Sequence, residues 1–516
     1  MKTRRLRNLL PWRRFLCLLF FTLLSFAVMG YHPGYEDDGT YLTAVKARLN
    51  PAFYPHNADF FRLEMQATVF DRAMAGFVRI TGIPLAWAEL LCQMFFLFAI
   101  LWACHSIARR LFRSAGAQWA AVAMVAAMFT LPVAGTALLL VDQHFHPRTV
   151  ASALILAAIS CCLHGNGKRA SLLLALSAFV HPIMAAFGAS FCLLLTLALN
   201  ERLYAWVSGI RAAKTNVEPG PAVVSRLGSG RRGMTLAAPL SWLFAPASPS
   251  WRAAMNMHSY YFIYKWQWYE WLGAIAPLAL FYLLWRWARS RGENLLARFA
   301  LATFSFGVFQ QLAAFLLLTP ASWIRLAPLQ PMRYLHLVYF ALALVAGGLM
   351  GEFVLKKSLW RWAAYLVIFN AAMLLPQEVE FPATRHLELP GLASSNDWLE
   401  AFAWIRQNTL LDAYFVCDPA YVDLPGEDSY SFRALAERSS LADAIKDSAV
   451  AAQIPSLGPI WAEQVAAEQG WGRFGAADFQ RLKQRFGVDW AIVDYPAPAG
   501  LDCRWHNRTL AVCRIP

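Results

Sequence analysis

Apolar runs of roughly 20 residues, long enough to cross a hydrocarbon core, recur along this chain between polar or basic breaks. The first, at 15–29, follows a start holding Lys2, Arg4, Arg5, Arg7, Arg13 and Arg14 and reads as a retained anchor with a cytoplasmic N-terminus. Further spans are predicted at 85–105, 119–141, 150–163, 271–287, 299–318, 334–353 and 362–375. The run 171–199 is interrupted by His181-Pro182, so it is one kinked span or two short ones turning at that dipeptide. The Gly-, Pro- and Arg-rich stretch 201–233 reads as a basic loop, which favours two short spans and requires a further weak crossing at 234–250. The pattern predicts an α-helical polytopic membrane protein of about eleven crossings, or nine if the His181 region crosses once.

Between the first two spans, residues 31–84 form a long outer loop with amphipathic stretches at 40–49 and 60–80 suited to lying along the interface. An aromatic-dense stretch at 251–270 reads as interfacial on the same side. After the last span the periodicity changes. Helices are expected at 396–407 (capped by Ser395 or Asn396), 441–452, 461–468 and 476–486, and strands at 413–417 and 488–493. Residues 380–516 therefore read as a separate extracytoplasmic α/β domain following a membrane domain of residues 1–379. Cys503 and Cys513 flank a hairpin turning near Asn507-Arg508, and in an oxidising compartment they can pair.

Composition agrees. The chain has 516 residues, 58% hydrophobic and 15% charged, which excludes a disordered or ordinary soluble protein. Its net charge of +14 is uneven: residues 380–516 hold 12 Lys/Arg against 18 Asp/Glu, a net of −6, which leaves +20 on residues 1–379. Basic residues flank apolar spans instead of forming a stripe, so nucleic acid is not an expected partner. No ER-retention signal closes the sequence, and a bacterial inner membrane is the expected setting.

Three groups carry candidate chemistry. Glu36, Asp37 and Asp38 emerge at a membrane exit, where one carboxylate could act as a general base and another hold a divalent cation; they would equally favour the start of the helix at Thr40. In the loop 142–148, Asp142, His144 and His146 share one face of an extended segment. They could hold Mn or Mg together with Asp38, with Arg148 as a phosphate fork; the plain alternative is a polar connection between two spans. Arg325, Arg333 and His336 bracket the loop before an inward span and suit the phosphate of a lipid carrier or ordinary headgroups. His181 is a kink or a ligand, and Gln310 and Gln311 read as interhelical hydrogen-bond partners. Arg433, Arg438 and Lys446 could reach back to a phosphate, although solvated surface charge is the plainer reading.

This layout resembles the GT-C superfamily of polytopic glycosyltransferases. The resemblance rests on Glu36-Asp37-Asp38-Gly39-Thr40-Tyr41 in the first outer loop, the polar loop 142–148, the late segment Gln330-Pro331-Met332-Arg333-Tyr334-Leu335-His336, and tail phrases such as Trp404-Ile405-Arg406-Gln407-Asn408-Thr409. It implies transfer of a sugar from a polyprenyl-phosphate donor to a glycan, lipid or protein acceptor outside the cytoplasm. Asp37 or Asp38 would be the base, and Arg333 with His336 would hold the donor phosphate. The acidic motif departs from Asp-x-Asp, which leaves open which carboxylate acts. A flippase for lipid-linked sugars is the alternative, although no internal repeat of the transporter kind is visible.

Overall fold

The computed structural model describes residues 2–207, 247–319, 321–392 and 396–516. Among these, seven helices are long and apolar enough to cross a membrane, within Trp12–Met29, Leu85–Leu111, Pro182–Leu199, Trp268–Ser290, Asn294–Leu318, Trp323–Leu355 and Leu359–Glu380. Ala115–Ala127, Pro147–Leu163 and Gly167–Val180 are shorter apolar helices. The chain is thus a multi-pass membrane protein. Most of the expected crossing at 234–250, most of the basic loop 201–233 and the Ser395 cap lie outside the described residues; Asn396 takes the cap, its side chain accepting the Trp398 N–H at 2.8 Å.

The helices gather between two faces. On one, Arg113 approaches Glu293 (3.5 Å), Ser114 donates to Glu352 (2.6 Å) and Arg298 donates to the Leu199 carbonyl (2.8 Å). The other carries the first loop and the C-terminal sheet. His181-Pro182 turns a hairpin at this second face: the Phe179 carbonyl accepts the Val69 N–H at 2.9 Å, whereas Leu199 returns to the first face. Two short helices therefore replace one kinked span, because Pro182 removes a backbone donor and His181 takes an extended conformation. Small residues bring helices close elsewhere. A Cβ on Gly347 would lie 2.6 Å from the Ala120 carbonyl, and one on Gly351 would lie 2.6 Å from Ala117 Cα.

Two stretches depart from the periodicity. The helix expected over 119–141 stops at Ala127, and residues 132–139 form a small hairpin of β1 (Pro132–Val133) and β2 (Leu138–Leu139). Pro132 and the left-handed Gly135, packed under Trp266, do not continue a helix. The amphipathic stretch expected over 60–80 breaks at Thr68, whose hydroxyl accepts the Phe70 N–H (2.9 Å) and starts the helix Phe70–Thr81 afresh. Gln310 and Gln311 bridge as expected, to Ser190 (2.8 Å) and the Tyr334 hydroxyl (2.7 Å).

The tail is a five-stranded mixed sheet ordered β4-β3-β5-β7-β6, where β3 is Tyr414–Val416, β4 Ser439–Ser440, β5 Trp490–Asp494, β6 Asp502–His506 and β7 Leu510–Arg514. A disulfide joins Cys503 and Cys513 across the last hairpin. The helix expected over 441–452 begins only at Lys446. Asp443 Oδ1 accepts the N–H groups of Ile445 and Lys446 (2.9 and 2.5 Å), which makes 441–445 a capping turn.

Candidate active site

The first loop is bound to the tail along its backbone. The His386 carbonyl accepts the Tyr31 N–H at 3.0 Å, the Ser429 carbonyl accepts that of Glu36 at 2.9 Å, and the Gly34 carbonyl accepts that of Ser431 at 2.8 Å. Gly34 sits at φ +88°, and a Cβ there would lie 2.6 Å from Leu435, so only glycine lets the two segments approach this closely. Its N–H donates to Asp38 Oδ2 at 2.7 Å. That bond turns Asp38 inward, where it is buried, and leaves Asp37 facing out with 40% of its side chain accessible.

Asp37 opens into a cleft between the first loop, the outer helix ends and the tail. Glu36, Glu64, His146, Arg148, Tyr260, Gln330 and Arg333 line its membrane end; Arg433, Asp443, Lys446 and Glu468 line its tail end. Glu36 and Gln330 both hold left-handed backbone conformations (φ 45° and 49°), which are uncommon for non-glycine residues. Glu36 pairs with Lys446 at 3.2 Å.

His146 caps the helix Pro147–Leu163. Its Nδ1 accepts the Arg148 N–H at 3.0 Å, so in the neutral ring Nε2 carries the proton, and Nε2 stands 3.5 Å from Asp37 Oδ2. Burial and the Arg148 charge pull His146 down to about 4, against the pull of Asp142 and Asp37. Burial opposes ionisation of Asp37, but the His146 ring facing it and the Lys446 and Arg148 charges outweigh it and hold the carboxyl well below its ordinary value. Asp38 moves the other way, raised by burial. Burial disfavours the Lys446 charge, and Glu36 and Asp37 more than restore it.

Arg148 and Arg333 are the cations of the membrane end. Arg148 forks Asp142 with Nε at 3.1 Å and Nη2 at 2.5 Å, and its Nη1 is buried without a hydrogen-bond partner. Arg333 lies over the Tyr260 ring, 6.0 Å from its centroid, and its Nε is also buried and unpartnered. Two guanidinium groups held in one water-poor cleft with unmet N–H donors present an anion site.

The other candidates lie elsewhere. His336 is fully buried beneath the cleft, bonded through Nε2 to the Leu140 carbonyl at 2.9 Å, and supports the 132–139 hairpin. Arg325 stacks on Trp251, 5.6 Å from the ring centroid, and does not line the cleft. His181 sits within electrostatic reach of His146, Arg148 and Arg333 without lining it. The expected cation set of Asp38, Asp142, His144 and His146 does not close. Asp142 is taken by Arg148, Asp38 by Gly34, and His144 Nε2 stands 3.8 Å from Asp38. Among the described residues no three His, Cys, Asp or Glu side chains group to hold a metal.

Two tail arginines and a lysine expected on the surface are not there. Arg433 is 6% exposed and forks Asp447 (2.7 and 2.5 Å), Arg438 is 2% exposed, and Lys446 lines the cleft. Glu64 was not foreseen at all. Burial and the Asp37 charge push it up to about 7, while the Tyr41 hydroxyl donates to it at 3.3 Å. An isolated acid in an amphipathic stretch carries no spacing signal, and only the fold turns it into the cleft.

No family model matches the chain, and no curated protein matches it. Among solved structures it is similar to the archaeal oligosaccharyltransferase AglB from Archaeoglobus fulgidus, in complex with an inhibitory peptide and a dolichol-phosphate. The TM-score is 0.43 and the identity 12%, over 93% of this chain and 69% of that one. A likeness of that size carries no argument about activity, which rests on the side chains.

Proposed function

We propose that this protein transfers a glycosyl group from a polyprenyl-phosphate-linked donor to an acceptor hydroxyl or amide in the cleft. The observation that carries the reading is one cleft holding an accessible carboxylate, Asp37, together with two arginines, Arg148 and Arg333, that each keep a buried N–H donor unmet. The cleft is on the face opposite the basic helix ends, which the positive-inside rule assigns to the outside of the cytoplasm; the tail is then periplasmic.

The donor phosphate enters between Arg148 and Arg333, whose like charges it neutralises. Asp37 accepts the proton of the acceptor as the acceptor's oxygen or nitrogen bonds to the anomeric carbon. The bond from that carbon to the phosphate oxygen breaks, and its electron pair leaves on the lipid phosphate, held by the two arginines. The field that depresses Asp37 in the empty cleft comes partly from Arg148, so the arriving anion restores basicity where it is needed. His146 Nε2 faces the carboxylate across 3.5 Å. A second cleft shares Glu36, Arg148 and Tyr260 with the first and runs along Leu139, Tyr339 and Met373, giving the carrier chain an apolar seat.

The test is reconstitution with radiolabelled polyprenyl-phosphate sugars and crude envelope acceptor. Label passing to acceptor in wild type and not in Asp37→Asn supports transfer. Label crossing the bilayer still on its lipid overturns it in favour of a flippase.

A further inference from the structure

The tail end of the cleft has no task in the transfer step, yet it holds unmet polar groups. Glu468 follows the helix Gly458–Ala467, is 1% exposed, and has Oε2 buried without a hydrogen-bond partner. Arg433, 6% exposed, spends its two terminal nitrogens on Asp447 and keeps a buried, unpartnered Nε–H. Both side chains line the cleft that contains Asp37, together with Asp443 and Ser440 and the apolar Leu441 and Val450. Buried polar groups left unmade are costly, and native structures keep them where a ligand or water completes them.

The chemistry of the set narrows the ligand. Burial and then the Asp443 charge raise Glu468 well above the usual carboxyl range, which favours the protonated form, at once an O–H donor and a C=O acceptor. The same cleft holds a donor that needs an oxygen, the Arg433 Nε–H. An ammonium group only donates and would leave the Arg433 Nε–H unmet beside a second cation. A sugar ring offers hydroxyls that donate and accept at one edge, and a C–H face for Leu441 and Val450.

We infer that the tail end of the cleft, built on Glu468 and Arg433, is the acceptor subsite and that the acceptor is itself a carbohydrate. This rests on the transfer reading for the word acceptor. Glu468 and Arg433 line the same cleft as Asp37 without belonging to the anion site of Arg148 and Arg333, so a molecule bound on them shares the cleft with the base and leaves the anion site to the donor.

Binding tests the subsite without turnover. Detergent-solubilised full-length protein is titrated with glucose, mannose, galactose, N-acetylglucosamine and their disaccharides, with a Gly-Asn-Ser-Thr peptide and glucosamine as competitors. Wild type binds at least one neutral saccharide more tightly than the peptide or glucosamine. Glu468→Leu weakens that affinity about tenfold and Glu468→Gln less than about threefold, as expected for one buried hydrogen bond lost or kept. The subsite is overturned if no saccharide binds, if peptide or glucosamine binds more tightly, or if a folded Glu468→Leu binds like wild type. Should Glu468→Leu fail to fold, Ala449→Trp fills the cleft from its wall; abolished saccharide binding supports the subsite and unchanged binding overturns it. Failure of wild type to move sugar from a lipid donor defeats the transfer reading alone.

Discussion

The loops 36–38 and 142–148 both carry acids and do opposite things with them. In the second, charge is spent internally: Asp142 is forked by Arg148, and His146 accepts the backbone N–H that starts its helix. In the first, backbone bonds to the tail do the anchoring, and the accessible carboxylate is left facing the cleft. An acid beside a cation is thus either a strut or a reactive group, depending on whether its oxygens are already taken. Asp37 and Asp38 repeat the contrast one residue apart, since Asp38 accepts the Gly34 N–H and Asp37 has no backbone donor within the loop.

Several substitutions break or sharpen this contrast. Asp37→Asn removes the accessible base and lowers kcat by about 10²–10⁴-fold with little change in Tm, the range general bases supply; single-turnover transfer rates check it. Equal loss of folding would return Asp37 to a structural role. Asp142→Asn has the reverse signature. It strands the buried Arg148 charge and costs about 3–5 kcal/mol of stability, as breaking buried pairs does, so Tm and activity fall together in a thermal-shift series. Arg333→Met removes half of the anion site and raises the donor KM more than it lowers kcat, provided donor binding is what Arg333 supplies; an unchanged KM would remove it from the site.

The smaller effects discriminate between neighbours. Asp38→Asn keeps an oxygen for the Gly34 N–H, and transfer stays within about tenfold of wild type, the worth of one hydrogen bond. Glu64 supplies a pH test. Its carboxyl titrates at about 7 in the folded protein against an ordinary 4.5. Between those values the folded state holds a proton that the unfolded chain has released, so this group's contribution to stability falls as pH rises through that window. Tm measured from pH 5 to 8 should therefore decline less steeply in Glu64→Gln than in wild type.

Much of the architecture was legible because membrane spans and capped helices are local. The apolar runs, the helix at 476–486 and the Cys503–Cys513 hairpin each depend on residues close in sequence. The errors fall where local signals compete with distant contacts. Residues 128–141 are apolar enough for a helix, yet Pro132, Gly135 under Trp266 and the support of His336 at Leu140 make a hairpin. Arg433 looks like any surface arginine until Asp447 folds against it.

By itself the sequence determined that this chain lies in a membrane with a mixed α/β tail, and that its acids and arginines flank the spans, since hydropathy and periodicity are carried by contiguous residues. Only the tertiary structure decided which of these groups work. Asp37, His146, Arg333 and Lys446 are separated by up to about 400 positions and become neighbours only when the tail closes on the first loop. Which oxygens are already satisfied, and which are left over for a ligand, is a property of that closure.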